Sequence, residues 1–322
     1  MKLNARVRTK TIKGEKYYYA DLTFRAEKVR TYSVYLGKNK PKEKQLKNAK
    51  RKLVHNAVSD LAKGFKSEYL SEEQLLECEI LKRRYEHKLE KFSHTQIKDM
   101  EKMEISNFVY TTLVTEGIPV TLDDARKAVG LSKKTKVLKD LNLDISLSMT
   151  QGVEAIQNKR KLSVSSIKSI HKLIMRDFGH AEPGQFRKRM VNILRIDTIT
   201  GKGTKIKFKF AMPGEISSKI NKFIEWYNAS EDNYPVEKAA IAHLKFYVIH
   251  PFIDGNKRIS RLLLNKALYD NDFPMLNVSK NEEEYFNALI KSVENKNPKY
   301  FVDYVFSAFI EKCSKVRPTI AE

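Results

Sequence analysis

The chain changes its period once, and that change limits what it can fold into. Up to Gly37, apolar and aromatic residues alternate with polar ones: Ala5-Arg6-Val7-Arg8-Thr9, then Tyr17 to Phe24, then Val29 to Leu36. A period of two builds strands with one covered face. Breaks at Gly14 and at Ala26-Glu27 divide the stretch, so a three-stranded antiparallel meander closed by Gly37 is expected. From Pro41 the spacing becomes helical, with Leu46, Ala49, Leu53, Ala57 and Leu61 on one stripe that stops before Gly64. Ser71 and Gln74 have the spacing of a capping box, and Leu75, Leu76, Ile80 and Leu81 begin the stripe behind it. The same reasoning predicts helices over 104–115, 121–129, 144–157, 163–176, 214–228, 235–249, 256–270, 282–294 and 298–312. A glycine- and lysine-rich patch near 199–210 interrupts them. Within it, Gly201-Lys202-Gly203-Thr204-Lys205 lacks the spacing of a phosphate-binding loop and reads as a hairpin turn. The fold class is therefore mainly α, with an N-terminal three-stranded β-meander.

Charge is distributed unevenly along this plan. The formal net charge is +22, and residues 1–50 hold fifteen Lys or Arg against four acids, half of that excess. A surface so cationic attracts polyanions, whether nucleotides, nucleic acid or acidic protein faces. Basic residues alternating with Tyr17, Tyr18, Tyr19, Tyr32 and Tyr35 suit a sheet laid on nucleic acid, and the meander loosely resembles the arm-type domains ahead of some recombinases and transposases. Charged strands also serve simply as solvated edges that discourage aggregation. The two cysteines, Cys78 and Cys313, have no disulfide-framework or zinc spacing, which fits a reducing cytoplasm. No stretch approaches the roughly 20 uninterrupted apolar residues of a membrane span, so a soluble intracellular protein is expected.

The segment that carries chemistry is His250-Pro251-Phe252-Ile253-Asp254-Gly255-Asn256-Lys257-Arg258-Ile259-Ser260-Arg261. Pro251 disfavours helical geometry in the residue before it, so the helix over 235–249 must stop at His250. Gly255 permits a tight turn, and Asn256 is suited to cap the next helix, whose first N–H groups then form an anion site. Lys257, Arg258 and Arg261 surround that site with cations. Asp254 suits Mg²⁺, which bridges phosphate oxygens and takes few carboxylates. His250 is the nearby group able to accept a proton near neutral pH. A base, a metal carboxylate and a phosphate cradle within one short segment describe phosphoryl or nucleotidyl transfer. His171 and His243 lie on apolar helical stripes and read as core-edge histidines.

This segment resembles the Fic family signature, His-Pro-Phe-x-Asp/Glu-Gly-Asn-Gly-Arg-x-x-Arg, at every specified position except Lys257. Gly184-Gln185-Phe186-Arg187 is similar to the start of the family's flap, and Glu237 to His243 resembles the helix leading to its catalytic histidine. The resemblance spans about residues 104–300 and implies a Fic-type helical core with a small β-hairpin flap. It implies AMP transfer from ATP to a Ser, Thr or Tyr hydroxyl of a protein, the chain itself included. His250 would be the base, Asp254 the Mg²⁺ ligand, and Gly255, Asn256, Lys257 and Arg258 the nucleotide-binding residues. Arg261 would hold the terminal phosphate. Gly184 to about Leu194 would form the flap, on which a target strand docks by main-chain pairing.

Upstream, Thr112-Leu113-Val114-Thr115-Glu116-Gly117 is similar to the family's inhibitory motif, Ser/Thr-x-x-x-Glu-Gly/Asn. Thr112, Glu116 and Gly117 occupy its specified positions, and the resemblance implies that Glu116 pairs with Arg261 and withholds it from ATP. Lys257 departs toward the death-on-curing toxins, relatives that resemble kinases and transfer phosphate. Gly255, Arg261 and the inhibitory motif favour AMP transfer. Removal of AMP, and a nucleic-acid-binding regulator with a vestigial core, stay open beside it. The expected divisions are 1–66, a basic meander and helix; 67–130, a helical region with the inhibitory helix; and 131–322, the catalytic core with its C-terminal helices. A protein substrate, nucleic acid and a second copy of the chain are the expected partners.

Overall fold

The computed structural model describes residues 4–133, 139–191, 193–196, 203–206, 210–278 and 281–315. They form two compact units, one up to His94 with Phe309 onward, the other Thr95–Ala308.

In the first unit the strands are β1 (Ala5–Ile12), β2 (Glu15–Arg25) and β3 (Val29–Gly37), an antiparallel sheet in the order β1-β2-β3. The expected meander is therefore present. Lys13 and Gly14 form the two-residue turn between the first two strands, both with positive φ, the form whose twist matches a hairpin. Alternation along β2 turns Ala20, Leu22 and Phe24 to one side. There they pack with Ala49, Leu53, Val54, Ala57 and Leu61 of α1 (Glu43–Leu61), and with Leu76 and Ile80 of α2 (Glu72–Leu89). Ser71 caps α2, accepting from the Gln74 backbone N–H while the Gln74 side chain accepts from Ser71, as the spacing indicated.

The second unit is helical around a small hairpin. It contains α3 (His94–Val114), α4 (Leu122–Gly130), α5 (Leu141–Gln157) and α6 (Val164–Ile174), then β4 (Ile193–Ile196) paired antiparallel with β5 (Gly203–Ile206). After the hairpin come α7 (Ile216–Ala229), α8 (Pro235–Ile249), α9 (Asn256–Tyr269), α10 (Glu282–Glu294) and α11 (Lys299–Ser314), the last of which passes into the first unit at Phe309. α3 starts ten residues ahead of the expected 104: Ile97, Met100 and Met103 stand at helical spacing among polar residues there, but none of 94–103 is buried. Gly203-Thr204-Lys205, expected as a hairpin turn, lie on β5 instead, while Gly201 and Lys202 fall outside the described residues.

The α8–α9 pair forms the centre of this unit. Nearly all of α8 is buried, as is every residue from Arg258 to Leu268 of α9, the signature of helices surrounded by others. α5 and α6 approach closely at Gly152, where a Cβ would lie 2.4 Å from Ile174 Cγ2. That contact seats α6, and with it His171, against the loop joining α8 to α9.

Candidate active site

The loop is built around a left-handed residue. α8 ends at His250, with φ +50° and ψ 60°, where Pro251 rules out continuing the helix. Arg187 holds this conformation: its Nε donates to the His250 carbonyl at 2.7 Å and its backbone N–H to the Pro251 carbonyl at 2.9 Å. The same buried guanidinium donates to Ala211 O at 2.6 Å and to Arg189 O at 2.9 Å. One cation thus ties the chain on both sides of the hairpin to the loop.

The His250 ring is 8% exposed, with Phe210 stacked on it at 4.0 Å. Its Nδ1 lies 3.1 Å from the Tyr247 carbonyl oxygen. A carbonyl can only accept, so Nδ1 carries the hydrogen and Nε2 keeps its lone pair. Burial, with the charges of Arg187 and Lys257 added to it, pushes the imidazolium down to about 3, so the ring is neutral near neutral pH.

Beyond the loop, Gly255 has φ +77°. A Cβ there would lie 2.7 Å from Met175 Sδ and 3.2 Å from His171 Nε2, so both the conformation and the space require glycine. Gly255→Ala is expected to cost about 2–4 kcal/mol from left-handed strain and overpacking. A thermal melt checks this, and a variant melting with the parent contradicts it.

Gly255, not Asn256, occupies the N-cap of α9. Asn256 was expected as the cap but braces the loop: its Oδ1 accepts from Phe252 N at 3.0 Å and its Nδ2 donates to Phe252 O at 2.9 Å. A side chain two-fold bonded to the preceding turn is not available to its own helix start. The first intrahelical bond of α9 runs from Ile259 N to Gly255 O at 3.0 Å, so the amides of Asn256 to Arg258 precede it and head the helix.

Arg258 and Arg261 lie beside those amides, 2% and 0% exposed. Arg258 rests on Phe178 at 4.7 Å, and one of its terminal nitrogens meets Met175 Sδ. Its Nε has no hydrogen-bond partner among the described residues, nor do Nε and Nη2 of Arg261. Buried guanidinium donors without partners are costly, and phosphate oxygens would satisfy them. Arg261 also lies over the Tyr285 ring at 5.2 Å, and the Tyr285 hydroxyl pairs with His243 Nε2 at 2.8 Å. Asp254 is the half-open acid of the site, its side chain 40% exposed. One oxygen accepts from Gly255 N at 2.6 Å, and the other lies 3.9 Å from both Arg258 and His180.

His171 bonds with both ring nitrogens. It accepts the Gly184 N–H on Nδ1 at 2.9 Å, so Nε2 carries the hydrogen and donates to the Asp254 carbonyl at 3.0 Å, while the ring stacks on Phe252 at 3.6 Å. This core-edge histidine therefore links Gly184 to the loop. Gln185 is tied to Glu182 O, and the Phe186 ring meets Phe252 at 5.4 Å. Gly184 to Arg187 thus form a clamped segment beside His250 and Pro251, and the strands begin only at Ile193.

The upstream motif reaches the same place. α3 ends in a turn closed by Gly117 at φ +76°, with Ile118 N bonded to Leu113 O. This turn delivers Glu116, its side chain 6% exposed, to Arg261 Nη1 at 3.2 Å, and the same nitrogen donates to the Thr112 carbonyl at 3.1 Å. The second Glu116 oxygen lies 3.3 Å from Lys257 Nζ. From the sequence Lys257 reads as a nucleotide ligand and as the departure toward the death-on-curing toxins, not as a partner of Glu116. Its contact with Glu116, the stacking of Phe210 and the grip of Arg187 on His250 had no signal in the sequence.

Three buried histidines make stability depend on pH. Burial pushes His171 down to about 4, His250 to about 3 and His243 well below its ordinary value. Between these values and the ordinary value near 6.5 the unfolded chain binds protons that the folded chain does not, so stability is lost as pH falls through that window. Each histidine contributes up to about 1.4 kcal/mol per pH unit there. Melting temperature is expected to fall from pH 7 to pH 5, less steeply in His171→Gln/His243→Gln; a flat profile contradicts this.

Comparison with known proteins gives a consistent result. Residues 161–268 match the model of the Fic/DOC family. Protein adenylyltransferase Fic of Drosophila ananassae is 26% identical over 222 residues, 66% of this chain and 42% of that protein. The protein of the same name from Drosophila grimshawi is 25% identical over 66% of this chain and 43% of its own length. The chain thus spans less than half the length of these relatives. Among solved structures, a Fic domain containing signaling protein from Bacteroides thetaiotaomicron matches 74% of this chain and 95% of its own, with TM-score 0.61 and 23% identity. Residues 134–508 of Fic-1 from C. elegans match 85% of this chain and 77% of their own, with TM-score 0.60 and 20% identity.

Proposed function

We propose that this chain, whose residues 161–268 match the Fic/DOC family model, transfers AMP from ATP to a Ser, Thr or Tyr hydroxyl of a protein. The observation that carries this reading is the head of α9: helix-start amides beside two buried arginines with unpartnered donors, at the end of a short loop that begins with a neutral histidine. His250 accepts the proton of the target hydroxyl on Nε2 as its oxygen bonds to the α-phosphorus. The bond from that phosphorus to the bridging oxygen breaks, and pyrophosphate leaves. Arg258, Arg261 and the amides from Asn256 to Arg258 hold the phosphates, and Arg187 keeps the His250 backbone in place. The hairpin of β4 and β5 presents the target strand by main-chain pairing.

Asp254 would hold Mg²⁺. Among the described residues no cluster of three or more His, Cys, Asp or Glu could bind a metal by itself. One half-exposed carboxylate suits an ion that takes the rest of its ligands from phosphate and water. Bound there, the ion would supply positive charge to the phosphate oxygens during transfer.

The same reading includes a lock. Glu116 occupies Arg261 and Lys257 at once, and a carboxylate on these cations competes with the terminal phosphate of ATP for them. Lys257 thus stands in for the family's usual glycine as a second anchor of the inhibitory carboxylate. No helix among the described residues is long and apolar enough to cross a membrane, and Cys78 and Cys313 are buried and not joined in a disulfide.

Auto-modification offers a direct test. Glu116→Gly protein incubated with ATP and Mg²⁺ is expected to gain the mass of one adenylyl group on a hydroxyl side chain, and Glu116→Gly/His250→Ala is not. Gain of a phosphate group, or equal gain by both proteins, sinks the reading.

A further inference from the structure

The N-terminal sheet has a second face that the catalytic reading leaves unused. The register sets Arg6 opposite Asp21, Arg8 opposite Tyr19, Lys10 opposite Tyr17, and Tyr19 opposite Tyr35. These residues share the side of the sheet away from α1, because the alternate positions, Ala20, Leu22 and Phe24, are the ones buried in the core. On this outer face the Tyr35 ring lies 5.3 Å from Tyr19 and 6.3 Å from Tyr17. The Arg8 guanidinium sits 4.9 Å over Tyr19, and Lys38 Nζ 5.5 Å over Tyr17. Tyr35 is 52% exposed, so the cluster faces water rather than a core.

Charge on this face is resolved in one direction. Asp21 is engaged by Arg8 at 2.5 Å and by the Ser33 hydroxyl at 2.7 Å. Glu15 is engaged by Lys38 at 2.5 Å and by the Tyr17 hydroxyl at 3.0 Å. Both acids are thus neutralised within the sheet, while Arg6 and Lys10 are exposed and form no ion pair among the described residues. Lys13 at the β1–β2 turn extends the cationic edge. A sheet needing only solubility would not cluster three tyrosines on its open side. Tyrosine hydroxyls and stacked cations beside unpaired basic residues suit a surface that is regular, polar and strongly anionic.

We propose that this face binds duplex DNA, with the sheet laid in the major groove. The β1–β2 ribbon that carries Arg6, Arg8, Lys10, Tyr17 and Tyr19 has strand axes roughly 5 Å apart and β1 is roughly 26 Å long, a size that a groove about 12 Å wide admits. Arg6 and Lys10, with Lys13 at the tip, contact phosphates. Arg8 and the hydroxyls of Tyr19 and Tyr35 face base edges. The proposal involves no active-site residue and does not depend on the proposed enzymatic activity.

Fluorescence anisotropy of the full chain with a labelled random-sequence duplex, over a range of salt concentrations, tests it. The parent and His250→Ala are expected to bind alike, with affinity falling steeply as salt rises. Arg6→Ala/Lys10→Ala is expected to flatten the plot of log affinity against log salt by about two units. Tyr35→Ala is expected to weaken binding with the slope unchanged. Lys222→Ala/Lys245→Ala, which removes two exposed cations from α7 and α8, controls for bulk charge and is expected to bind as the parent does. Equal loss in the two double variants, absence of binding by the parent, or equal binding of an acidic protein competitor overturns the proposal.

Discussion

Replacing His250 by alanine is expected to lower the rate of AMP transfer on the order of 10²- to 10⁴-fold, the usual contribution of a positioned general base. The expectation rests on the ring's hydrogen bonds. Tyr247 O fixes the hydrogen on Nδ1, so the other nitrogen is the acceptor. The ring cannot turn freely, since Phe210 covers one side and the backbone beneath it is held by Arg187. His250→Asn is the better control for structure. Asparagine tolerates the left-handed conformation at φ +50° more readily than alanine and offers no base, so it should keep the loop while losing the rate. Both variants are expected to lower kcat with little change in KM for ATP, since the phosphates are held elsewhere. A His250→Asn protein with near-parental kcat would remove His250 from the chemistry.

The second large effect is expected at Glu116. Glu116→Gly should raise basal transfer by about 10- to 100-fold, the span typical of couplings between two states of a site. Its carboxylate is almost wholly buried between Arg261 and Lys257, so removing it returns both cations to the nucleotide. Lys257→Met keeps the apolar stem and removes one anchor, and is expected to raise activity a few-fold. Combined with Glu116→Gly it should give no further gain, because the two act through one contact and their effects do not add. Initial rates of the four proteins at low ATP measure this. If Lys257→Met has parental activity, Lys257 is not part of the lock; if Glu116→Gly has parental activity, there is no lock.

Much of this arrangement was legible in the sequence, because the elements that make it are local. The meander was readable from strict alternation interrupted by Gly14, and α8 and α9 from apolar spacing broken at His250-Pro251. The loop between them is one continuous segment, so its residues were bound to converge once the two helices paired. What stayed hidden depends on partners distant in the chain or on competition among bonds. Asn256 looked like a helix cap, yet Phe252 offers it both a donor and an acceptor, and two bonds outweigh one. The early turns of α3 bury no residue, and Ile97, Met100 and Met103 give only a thin stripe among polar neighbours. A lysine is solvated by default, so nothing about Lys257 alone pointed to Glu116. Arg187 was readable as part of a motif, but its bonds to His250 and Ala211 emerge only when the chain on both sides of the hairpin meets the loop.

The central claim is that the α8–α9 loop and the head of α9 orient ATP so that its α-phosphorus meets a hydroxyl beneath His250. The most direct measurement incubates Glu116→Gly protein with Mg²⁺ and ATP labelled at either the α- or the γ-phosphate, and follows label retained on protein. Retention from the α-position alone, lost in His250→Asn, is the expected result. Retention from the γ-position would contradict it, because ATP would then lie reversed in the cradle.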